Sequence, residues 1–554
     1  MKRIWTEIQK TESLDPISEI LQFNNIPKDS WNSFLFDTVK NLPRINKAYN
    51  ADKFIKRIGR AIEDKEKICL YSDYDVDGMT GASVAKLMIE ELGGVCYIHT
   101  NNKKTDGYGI NRIGLERLFG REEFPGTKLI VTIDNGINAL DGINFAHEFG
   151  VEVLVTDHHE PYIDNPAEIV VDLKQEQDNY SFREFCGCGI IWKLLREIYI
   201  DKGIEEESLK YLDIVALGTI ADMVPILGEN RIIVRHGLRL MNEGHREAFR
   251  IFKELFNLRN INEGSIGFQI APCLNAKTRI DGDATDCIRI FTEANTVEIK
   301  TTIEKLISLN SFRKEMTSRE EKTAIKLVED AHIDNDKVLV LASKDFNGGI
   351  VGLTAGRLAK RYARPAVVGE ILDNGIIRGS CRSYGDFNIH ELLKRNSGSL
   401  LSFGGHKMAA GFSLKIDDLE SFKNQLNQDK LAGKIEAQKL VPYLKTLEPS
   451  TANVPYIEKI DSLAPYGEGF RRPLYRINKI PVKDTDIRYM GAENSHVKIT
   501  AGGLEILGWD LKDRMSKIQN GYCDIVGDLS INDFRGNRTP QVIIHEDNIV
   551  NSRF

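Results

Sequence analysis

The 554-residue sequence lacks long hydrophobic runs. No segment approaches the roughly 18 uninterrupted apolar residues of a membrane-spanning helix. The first residues, Met1–Lys10, also lack the apolar core of a signal peptide, so we expect a cytoplasmic protein. Hydrophobic residues make up 42% and charged residues 28% of the chain, which is typical of a soluble globular protein and not of a disordered one.

Paired cysteines are also missing. None of the eight cysteines belongs to a C-x-x-C pair, the spacing that many zinc and redox motifs use. Cys186 and Cys188 form a C-G-C sequence, but no second pair lies near them. This pattern favours buried thiols in a reducing compartment over a metal site.

The chain as a whole has no excess of positive charge. Its formal net charge is −7, which argues weakly against indiscriminate binding to nucleic acid. Residues 341–411 differ, because ten Lys and Arg face five Asp and Glu there, a local excess of +5. A phosphate-bearing ligand would fit this stretch, and a basic solvated face is the alternative.

The length suggests three or four domains at about 100–200 residues per domain. From about residue 51, strand and helix patterns alternate, as in a mainly parallel, doubly wound sheet. Regular short strands after about residue 441 indicate a small barrel. The strands predicted in the first sheet lie near 67–72, 95–100, 128–133, 151–156 and 168–173.

The sequence DYDVDG at residues 73–78 is the most informative stretch. It lies between a strand pattern and a helix pattern, so its three carboxylates are expected at the carboxyl end of a strand, where doubly wound sheets bind ligands. Crowded carboxylates repel one another unless cations or protons lie between them. An EF-hand is disfavoured because Val84 stands where a bidentate Glu is needed. A solvated acidic turn is the alternative if the stretch is taken alone.

Further ligand-type residues follow other apolar stretches. Asp134, His158 and His159 come after two predicted strands, and Asp222 ends the apolar stretch 212–221, so that we expect all of them at successive strand ends. We expect all of them at one edge of the sheet, near the first carboxylates. Carboxylates mixed with imidazoles favour Mn2+ or Mg2+ over Zn2+, and their number suggests two ions. Two ions about 4 Å apart can activate a water, so phosphoester hydrolysis is the expected reaction class.

Four motifs together resemble those of the DHH phosphoesterases. FGGHKMAAG at 403–411 also resembles the GGHxxAAG signature of the DHH-associated domain. The similarity runs from about residue 50 to the end of the chain and is greatest to the single-strand-specific exonucleases of this family. The four motifs are DYDVDG at 73–78, DNG at 134–136, DHH at 157–159 and LGTIADMVP at 217–225.

The resemblance implies a 5′ to 3′ exonuclease that hydrolyses single-stranded DNA to 5′ mononucleotides by a two-metal-activated water, in recombination and repair. The expected catalytic residues are Asp75, Asp77, Asp134, His158, His159 and Asp222. The expected ligands of Mn2+ or Mg2+ are Asp75, Asp77, Asp134, His158 and Asp222, with Asp73 as a further candidate. By the same resemblance, substrate would be bound by Arg279, Ser380, Arg382, His406, Lys103, Asn275, Gly404 and Gly405.

The resemblance also implies an α/β fold class with several domains. A doubly wound, mainly parallel DHH sheet would be joined by long helices to a smaller α/β DHH-associated domain, followed by an OB-like β-barrel. Single-stranded DNA, single-strand-binding protein and a helicase are the implied partners of a monomer. The expected boundaries are a helical lead-in at 1–50, a DHH catalytic domain at 51–250, a helical connector at 251–330, a DHH-associated domain at 331–440 and an OB-like domain at 441–554.

An OB-like barrel binds single strands through basic grooves and stacked aromatic side chains. The candidates for this role are Tyr466, Phe470, Arg471, Arg472 and Phe534.

The sequence departs from the family pattern in four places. Tyr71 stands where relatives carry His, and Lys103 stands where they carry Arg, which weakens a bidentate grip on phosphate. The stretch NAKTR at 275–279 lacks the usual glycine, with Lys277-Thr278 before Arg279, and Phe346-Asn347 replaces Trp-His. None of these changes touches the central carboxylates, so we expect an active but diverged enzyme.

Two other functions stay open. A DHH nanoRNase or cyclic-dinucleotide phosphodiesterase would lack the carboxy-terminal barrel, which here occupies about 110 residues, and a pyrophosphatase of the same superfamily is disfavoured for the same reason. The second alternative is a catalytically idle scaffold that binds single strands. The complete set of metal-ligand candidates argues against it.

Overall fold

The computed structural model describes residues 3–8, 15–292, 295–432, 439–491, 494–509, 511, 521–534, 536–544 and 549–552. The chain divides into two compact units. The smaller unit comprises Met1–Ile4, Pro272–Gly282 and Ile303–Leu440, and the larger unit comprises Trp5–Ala271, Asp283–Thr302 and Val441–Phe554.

The amino-terminal half of the larger unit contains the predicted alternation of strands and helices. The elements are β1 (Arg3–Glu7), α1 (Pro16–Phe23), α2 (Trp31–Phe36), α3 (Ala51–Glu63), β2 (Lys67–Ser72), α4 (Val76–Glu91), β3 (Val95–Thr100), α5 (Arg112–Phe119), β4 (Leu129–Ile133), α6 (Leu140–Glu148), β5 (Glu152–Thr156) and β6 (Ile169–Val171). The short strand β1 thus precedes the helices of the lead-in.

Strands β2 to β6 form one parallel sheet in the order β3-β2-β4-β5-β6. The central strands β2, β4 and β5 are almost continuously apolar and buried, because helices cover both faces of a parallel sheet. Side chains such as Tyr71 and Val153 pack with α5 and α6 on one face, while α4 contacts β2 and β3. The predicted doubly wound sheet is therefore confirmed.

A run of helices follows the sheet. The helices are α7 (Gly187–Asp201), α8 (Glu205–Ser208), α9 (Leu212–Ala221), α10 (Gly228–Glu243), α11 (Glu247–Leu255), α12 (Glu263–Ser265), α13 (Ala271–Ile280), α14 (Thr285–Thr292) and α15 (Thr296–Asp330). The apolar stretch 212–221 is the buried helix α9, which contacts α4 and α10. The predicted long charged helix is α15.

The smaller unit has its own mixed sheet. Its elements are β7 (Leu339–Ser343), α16 (Val351–Tyr362), β8 (Ala366–Ile371), β9 (Ile376–Arg382), α17 (Ile389–Arg395), β10 (Leu400–Gly405), β11 (Ala409–Lys415) and α18 (Leu419–Gln428). The strand order is β10-β11-β9-β8-β7. Only β7 and β8 pair in parallel, and the other neighbours are antiparallel. Helix α16 packs on β8 and β9.

The carboxy-terminal part of the larger unit contains a second, mostly antiparallel sheet, and the first strand of this part, Lys439–Tyr443, pairs instead with β1. The elements are β12 (Lys439–Tyr443), β13 (Thr446–Leu447), α19 (Val454–Asp461), β14 (Tyr475–Val482), β15 (Ile487–Met490), β16 (His496–Ala501), β17 (Leu504–Gly508), β18 (Gly521–Phe534), β19 (Asn537–Ile544) and β20 (Ile549–Ser552). Strand β18 pairs with β14 through its first half and with β19 through its second half, so it belongs to both halves of the sheet.

All eight cysteines are free and buried, which confirms the prediction of buried thiols. Among the described helices, none combines the length and hydrophobicity that a membrane span requires.

Candidate metal centre

The turn between β2 and α4 positions the first three carboxylates. The backbone N–H of Asp73 donates to Ile133 O at 3.2 Å and so extends the pairing of β2 with β4. Asp75 caps α4, because its side chain accepts from the backbone N–H of Asp77 at 3.0 Å and of Gly78 at 3.2 Å. A Cβ at Gly78 would lie 2.4 Å from the Asp73 carbonyl oxygen, so the tight turn requires glycine.

Asp77 is held by a helix that begins more than a hundred residues later in the chain. Its carboxylate accepts from the backbone N–H groups of Gly187, at 2.6 Å, and Cys188, at 2.9 Å. These are the first two residues of α7, whose N–H groups have no partner within the helix. The positive end of the helix therefore fixes and stabilises this carboxylate.

Asp134 follows β4 with a positive φ of 62°. Its backbone N–H donates to Thr156 O at 3.0 Å, and this bond places its side chain beside the end of β5. Gly187 leaves room for it, since a Cβ there would lie 2.6 Å from Cβ of Asp134. The next residue, Asn135, donates to Tyr71 O at 3.1 Å and accepts from Ile110 N at 3.0 Å, so it fastens the neighbouring loop to the sheet edge.

The two histidines follow β5 and have different partners. Nε2 of His158 lies 3.1 Å from Oδ1 of Asp134, 3.6 Å from Oδ2 of Asp222 and 3.8 Å from Oδ2 of Asp77. Nδ1 of His159 lies 2.7 Å from Oδ1 of Asp157. Asp157 is itself fixed by the backbone N–H of Ile137 at 3.0 Å, so it sets the orientation of the His159 ring.

Asp222 reaches the same centre from a helix. The sequence placed all the ligand candidates at successive strand ends, but Asp222 is the C-cap of α9. Its position depends on close packing of α9, because a Cβ at Gly218 would lie 2.5 Å from Oγ1 of Thr80 on α4. The side chains converge as predicted, but the prediction that Asp222 follows a strand is wrong.

The seven candidates form three overlapping groups in which one ligand atom from each residue lies within 4.8 Å of the others. Asp134 belongs to two of these groups, and so does His158. The groups are Asp134 with His158 and His159, Asp77 with His158 and Asp222, and Asp73 with Asp75 and Asp134.

The electrostatics of the centre reflect buried negative charge. Burial and the charge of Asp75 raise the pKa of Asp77 to about 6, and the same two causes raise the pKa of Asp73 well above its usual range. Burial and the neighbouring carboxylates raise the pKa of Asp222 to about 9 and that of Asp134 well above its usual range. Burial, which favours the neutral ring, is outweighed at His159, where the hydrogen bond to Asp157 raises the pKa to about 9.

The residues present fit a divalent cation. Oδ1 of Asp73 and Oδ1 of Asp134 are buried and make no hydrogen bond within the described residues, although Nε2 of His158 lies near the second of these atoms. Buried carboxylate oxygens in this state are costly unless a cation compensates them. Carboxylate oxygens together with imidazole nitrogens suit Mn2+, whereas Mg2+ prefers a set richer in oxygen.

Tyr71, which stands where the resemblance implies a histidine, lies on β2 with its side chain against α5 and α6. The side chain is buried, and its hydroxyl donates to Oδ1 of Asn101. Its ring centroid lies 5.0 Å from that of His99. The replacement therefore makes a core contact.

Three features beside this centre were not assigned from the sequence. Asp157 orients His159, and the first two N–H groups of α7 hold Asp77. Asp172 follows β6 with a buried Oδ2 that has no hydrogen-bond partner in the described part of the chain, and burial raises its pKa to about 8. The signal for Asp157 in the sequence is its place directly before His158. No local pattern indicates that the start of α7 holds Asp77.

Most of the expected substrate-binding residues lie in the smaller unit. Arg382 donates to Oγ of Ser380 at 2.6 Å and to Cys381 O at 2.8 Å. Both Ser380 and Arg382 pack on the first turn of α16, since a Cβ at Gly352 would lie 2.7 Å from Nη2 of Arg382 and 3.2 Å from Oγ of Ser380. A Cβ at Gly349 would lie 2.2 Å from Arg279 O. The structure thus brings Arg279, Ser380 and Arg382 to one end of one helix.

The remaining candidates are more scattered. Asn275 lies on α13, one turn before Arg279. His406 is exposed in the turn between β10 and β11, where Gly404 and Gly405 end β10. Gly405 has φ +140°, and a Cβ there would lie 2.5 Å from Ala409 O. Lys103 belongs to the larger unit, with Nζ 5.1 Å from the ring centroid of Tyr74.

The aromatic residues proposed for base stacking are not available for it. Tyr466 and Phe470 are 4% and 0% exposed and stack on each other in the core, with ring centroids 5.1 Å apart. Arg472 donates to Leu529 O at 3.2 Å, and Arg471 pairs with Glu468 at 3.4 Å. The side chain of Phe534 lies outside the described residues. Exposed aromatic side chains of this sheet are instead Tyr489, Trp509 and Tyr522.

Comparison with protein-family models finds three matches in chain order. Residues 67–219 match the N-terminal domain of the DHH family, residues 335–429 match the DHHA1 domain, and residues 445–546 match the RecJ OB domain. The seven residues of the candidate centre lie within the first match or, for Asp222, directly after it.

Known relatives agree with these matches. The chain is 33% identical over 507 residues to the single-stranded-DNA-specific exonuclease RecJ of Bacillus subtilis, covering 88% of this chain and 62% of that protein. It is 28% identical to RecJ of Haemophilus influenzae, covering 92% of each. The solved structure of RecJ from Thermus thermophilus in complex with Mn2+ has the same fold, with 24% identity, a TM-score of 0.80, and coverage of 97% of this chain and 76% of that one. The chain therefore belongs to the DHH phosphoesterase family, among its RecJ-type members.

Proposed function

We propose that this protein is a metal-dependent exonuclease that hydrolyses single-stranded DNA from the 5′ end and releases 5′ mononucleotides. The observation that carries the proposal is the buried centre in which seven carboxylate and imidazole side chains converge. The relatives named above are single-stranded-DNA-specific exonucleases, which supports this substrate over other phosphoesters.

Divalent ions would be held by the converging side chains of the centre. Two ions, Mn2+ or Mg2+, would supply an activated water and stabilise negative charge on the phosphoryl oxygens. The residues proposed to hold them are Asp75, Asp77, Asp134, His158 and Asp222, with Asp73 as a further ligand.

The protein's own groups have separate tasks in this proposal. The N–H groups at the start of α7 hold Asp77 in place, so this carboxylate does not have to reorganise during the reaction. Asp157 keeps His159 oriented, and it favours the protonated imidazole. An imidazole held in this orientation can donate or accept a proton during hydrolysis.

The smaller unit would bind the end of the strand. Arg382 and Ser380 bring a guanidinium group and a hydroxyl to the start of α16, and the backbone of Arg279 lies beside it, an arrangement that suits a phosphate. Asn275, His406, Gly404, Gly405 and Lys103 are proposed as additional substrate contacts. A fixed 5′ phosphate sets which bond is cleaved, so nucleotides would leave one at a time.

Other features of the proposal follow from the same family membership. The activity would serve DNA recombination and repair in the cytoplasm, with single-strand-binding protein and a helicase as partners of a monomer. The element order supports the domain boundaries 51–250, 251–330, 331–440 and 441–554 proposed for the DHH, connector, DHH-associated and OB-like parts, after a lead-in at 1–50.

Two alternatives compete with this function. A nanoRNase or cyclic-dinucleotide phosphodiesterase would use the same metal centre, but the match of residues 445–546 to the RecJ OB domain favours a longer strand as substrate. An idle scaffold would not need seven converging ligand-type side chains. Cleavage of matched substrates distinguishes all three.

The test is digestion with Mn2+ of single-stranded DNA labelled at either end, with and without a 5′ phosphate, beside a dinucleotide and a duplex. We expect stepwise release of mononucleotides from the 5′ end of the single strand. Cleavage of the dinucleotide alone would replace the proposal with the phosphodiesterase alternative. Tight binding of the strand without cleavage would replace it with the scaffold.

A further inference from the structure

The larger unit contains a cavity of about 390 Å3 that none of the seven metal-ligand candidates lines. Residues of α2, the start of α10 and the segments next to these helices form its walls. Apolar side chains of Ile26, Phe34, Leu227 and Ile232 make up part of the wall. Because cavities that hold small ligands in proteins have volumes of about 300–1,000 Å3, the size and the apolar wall fit a small organic molecule.

Two arginines of α10, one helical turn apart, also line this cavity. Arg231 is 3% exposed, and its Cζ lies 4.0 Å from the ring centroid of Phe34. It donates to the backbone carbonyl oxygens of Phe34, Leu463 and Pro465, at 3.2, 2.6 and 2.8 Å. Arg235 is exposed and donates to a backbone carbonyl oxygen of α2 at 2.8 Å. Carbonyl groups carry no net charge, so these bonds fix the side chains without neutralising them.

The wall of the cavity carries an excess of positive charge. Neither arginine forms an ion pair within the described residues, and burial together with the charge of Arg235 lowers the pKa of Arg231 to about 9. Two carboxylates, Glu229 and Asp37, also line the cavity. Glu229 is already neutralised, because it accepts from Nζ of Lys193 at 2.5 Å. Two guanidinium groups therefore face one remaining carboxylate, and a buried guanidinium group without a counter-charge is costly.

We propose that this cavity binds a small organic anion, in which a phosphate or carboxylate group is attached to an apolar body. The acidic group pairs with Arg231 and Arg235 through charge-assisted hydrogen bonds, and the apolar body lies against Leu227 and Ile232. Leu227 belongs to the segment that connects Asp222 with α10, so a bound anion contacts the segment that follows a metal-ligand candidate. The site is separate from strand cleavage and goes beyond the proposed function.

The test measures binding of a fluorescent aromatic sulfonate, 8-anilinonaphthalene-1-sulfonate, to the full-length protein. N-phenyl-1-naphthylamine, which has the same aromatic body without the sulfonate group, is titrated beside it. We expect the neutral compound to bind about tenfold more weakly, the loss typical of a charge-assisted hydrogen bond. Arg235→Gln should weaken binding of the sulfonate by about the same factor and leave binding of the neutral compound unchanged.

Two further variants locate the site. Ser33→Trp puts a large side chain into the cavity, which Ser33 lines from α2, and should abolish binding of both compounds. Arg239→Gln is the matched control on α10. Its side chain is 54% exposed and pairs with Glu243 at 2.8 Å, so its loss should change neither affinity. Arg235→Gln replaces an exposed side chain and should keep the wild-type melting temperature, which separates lost binding from lost folding.

Competition identifies the acidic group of the ligand. Displacement of the sulfonate by deoxythymidine 5′-monophosphate assigns a phosphate, and displacement by octanoate assigns a carboxylate. The inference is overturned if neither anion displaces the sulfonate, if the sulfonate and the neutral compound bind equally well, or if Arg235→Gln and Ser33→Trp keep the wild-type affinity. None of these measurements involves cleavage, so their failure leaves the nuclease proposal standing.

Discussion

The larger unit gathers buried carboxylates, whereas the smaller unit gathers arginines. At the sheet edge, Asp73, Asp77 and Asp134 are buried, and two of their oxygens have no hydrogen-bond partner in the described residues. On the smaller unit, Arg313 and Arg382 have no ion pair in that part of the chain. Each region holds an excess of one sign of charge that folding alone does not compensate.

The difference teaches which ligand each region requires. Hard or borderline cations neutralise the negative charge of the carboxylates, and a phosphate neutralises the positive charge of the arginines. In the first region the backbone N–H groups at the start of α7 hold Asp77, and in the second Arg382 is held by hydrogen bonds to Oγ of Ser380 and to Cys381 O. Folding therefore desolvates two opposite charge groups in advance of binding.

The largest effect is expected from Asp134→Ala. Asp134 belongs to two of the three ligand groups, so its loss should lower kcat by about a thousandfold or more, since metal-stabilised charge is worth several kcal/mol. Binding of single strands should remain measurable by fluorescence anisotropy. Asp141→Ala, at an exposed position on α6, is the control and should cleave normally. Cleavage at the wild-type rate by Asp134→Ala would contradict the assignment of the centre.

Loss of an arginine in the smaller unit should weaken binding of the strand. Arg382→Gln removes a cation from the start of α16 and should raise KM for a 5′-phosphorylated strand about ten- to a hundredfold, with a much smaller change in kcat. Arg361→Gln, exposed on the same helix, is the control. Steady-state kinetics on both variants measure the changes in KM and in kcat separately. A fall in kcat with constant KM would place Arg382 outside strand binding.

Without metal, stability should fall as pH rises. Burial and neighbouring carboxylates raise the pKa of Asp77 to about 6 and of Asp222 to about 9, above the value of about 3.9 in an unfolded chain. The native state then binds more protons than the unfolded state between about pH 4 and 9, so the free energy of unfolding decreases across this range. His159, with its pKa raised to about 9, acts in the same direction.

Thermal unfolding in EDTA at about pH 5, 7 and 9 measures this effect. Tm should fall by several degrees, and Mn2+ should restore it most at high pH, where the ligands are deprotonated. Asp222→Asn should make the decrease shallower. A Tm in EDTA that is constant or rises with pH would show that these carboxylates are not an uncompensated charge group.

The smallest effect on activity is expected at Tyr71, which lies away from both charge groups. Tyr71→Phe removes the hydrogen bond to Asn101 and should lower the free energy of unfolding by about 1 kcal/mol. Cleavage should change by less than about twofold. Tyr162→Phe, at a side chain that is 64% exposed, is the control in denaturant unfolding. A large loss of Mn2+ affinity in Tyr71→Phe would give this residue the role of the family histidine.

Local sequence patterns predicted the parallel sheet and the meeting of its polar residues. Alternating strand and helix patterns placed β2, β4 and β5 to within a residue or two, and Asp134 and His158 follow directly from those strand ends. Asp222 was identified as a ligand candidate, but its element was wrong, because an apolar run of ten residues is compatible with a buried helix as well as a strand.

The remaining errors concern contacts between distant parts of the chain. No local pattern connects Asp77 with Gly187 and Cys188, whose N–H groups hold it. Tyr466 and Phe470 looked available for base stacking, yet tertiary packing buries both. The identity of an aromatic residue gives its chemistry, whereas its exposure depends on which other elements cover it.

The most direct test of the metal centre is an anomalous difference map from a crystal of this protein soaked in Mn2+, recorded at the manganese edge. The account predicts about two peaks bounded by Asp75, Asp77, Asp134, His158 and Asp222, and their loss in Asp134→Ala. Saturating Mn2+ with no peak among these side chains, in protein that still cleaves single-stranded DNA, would contradict it.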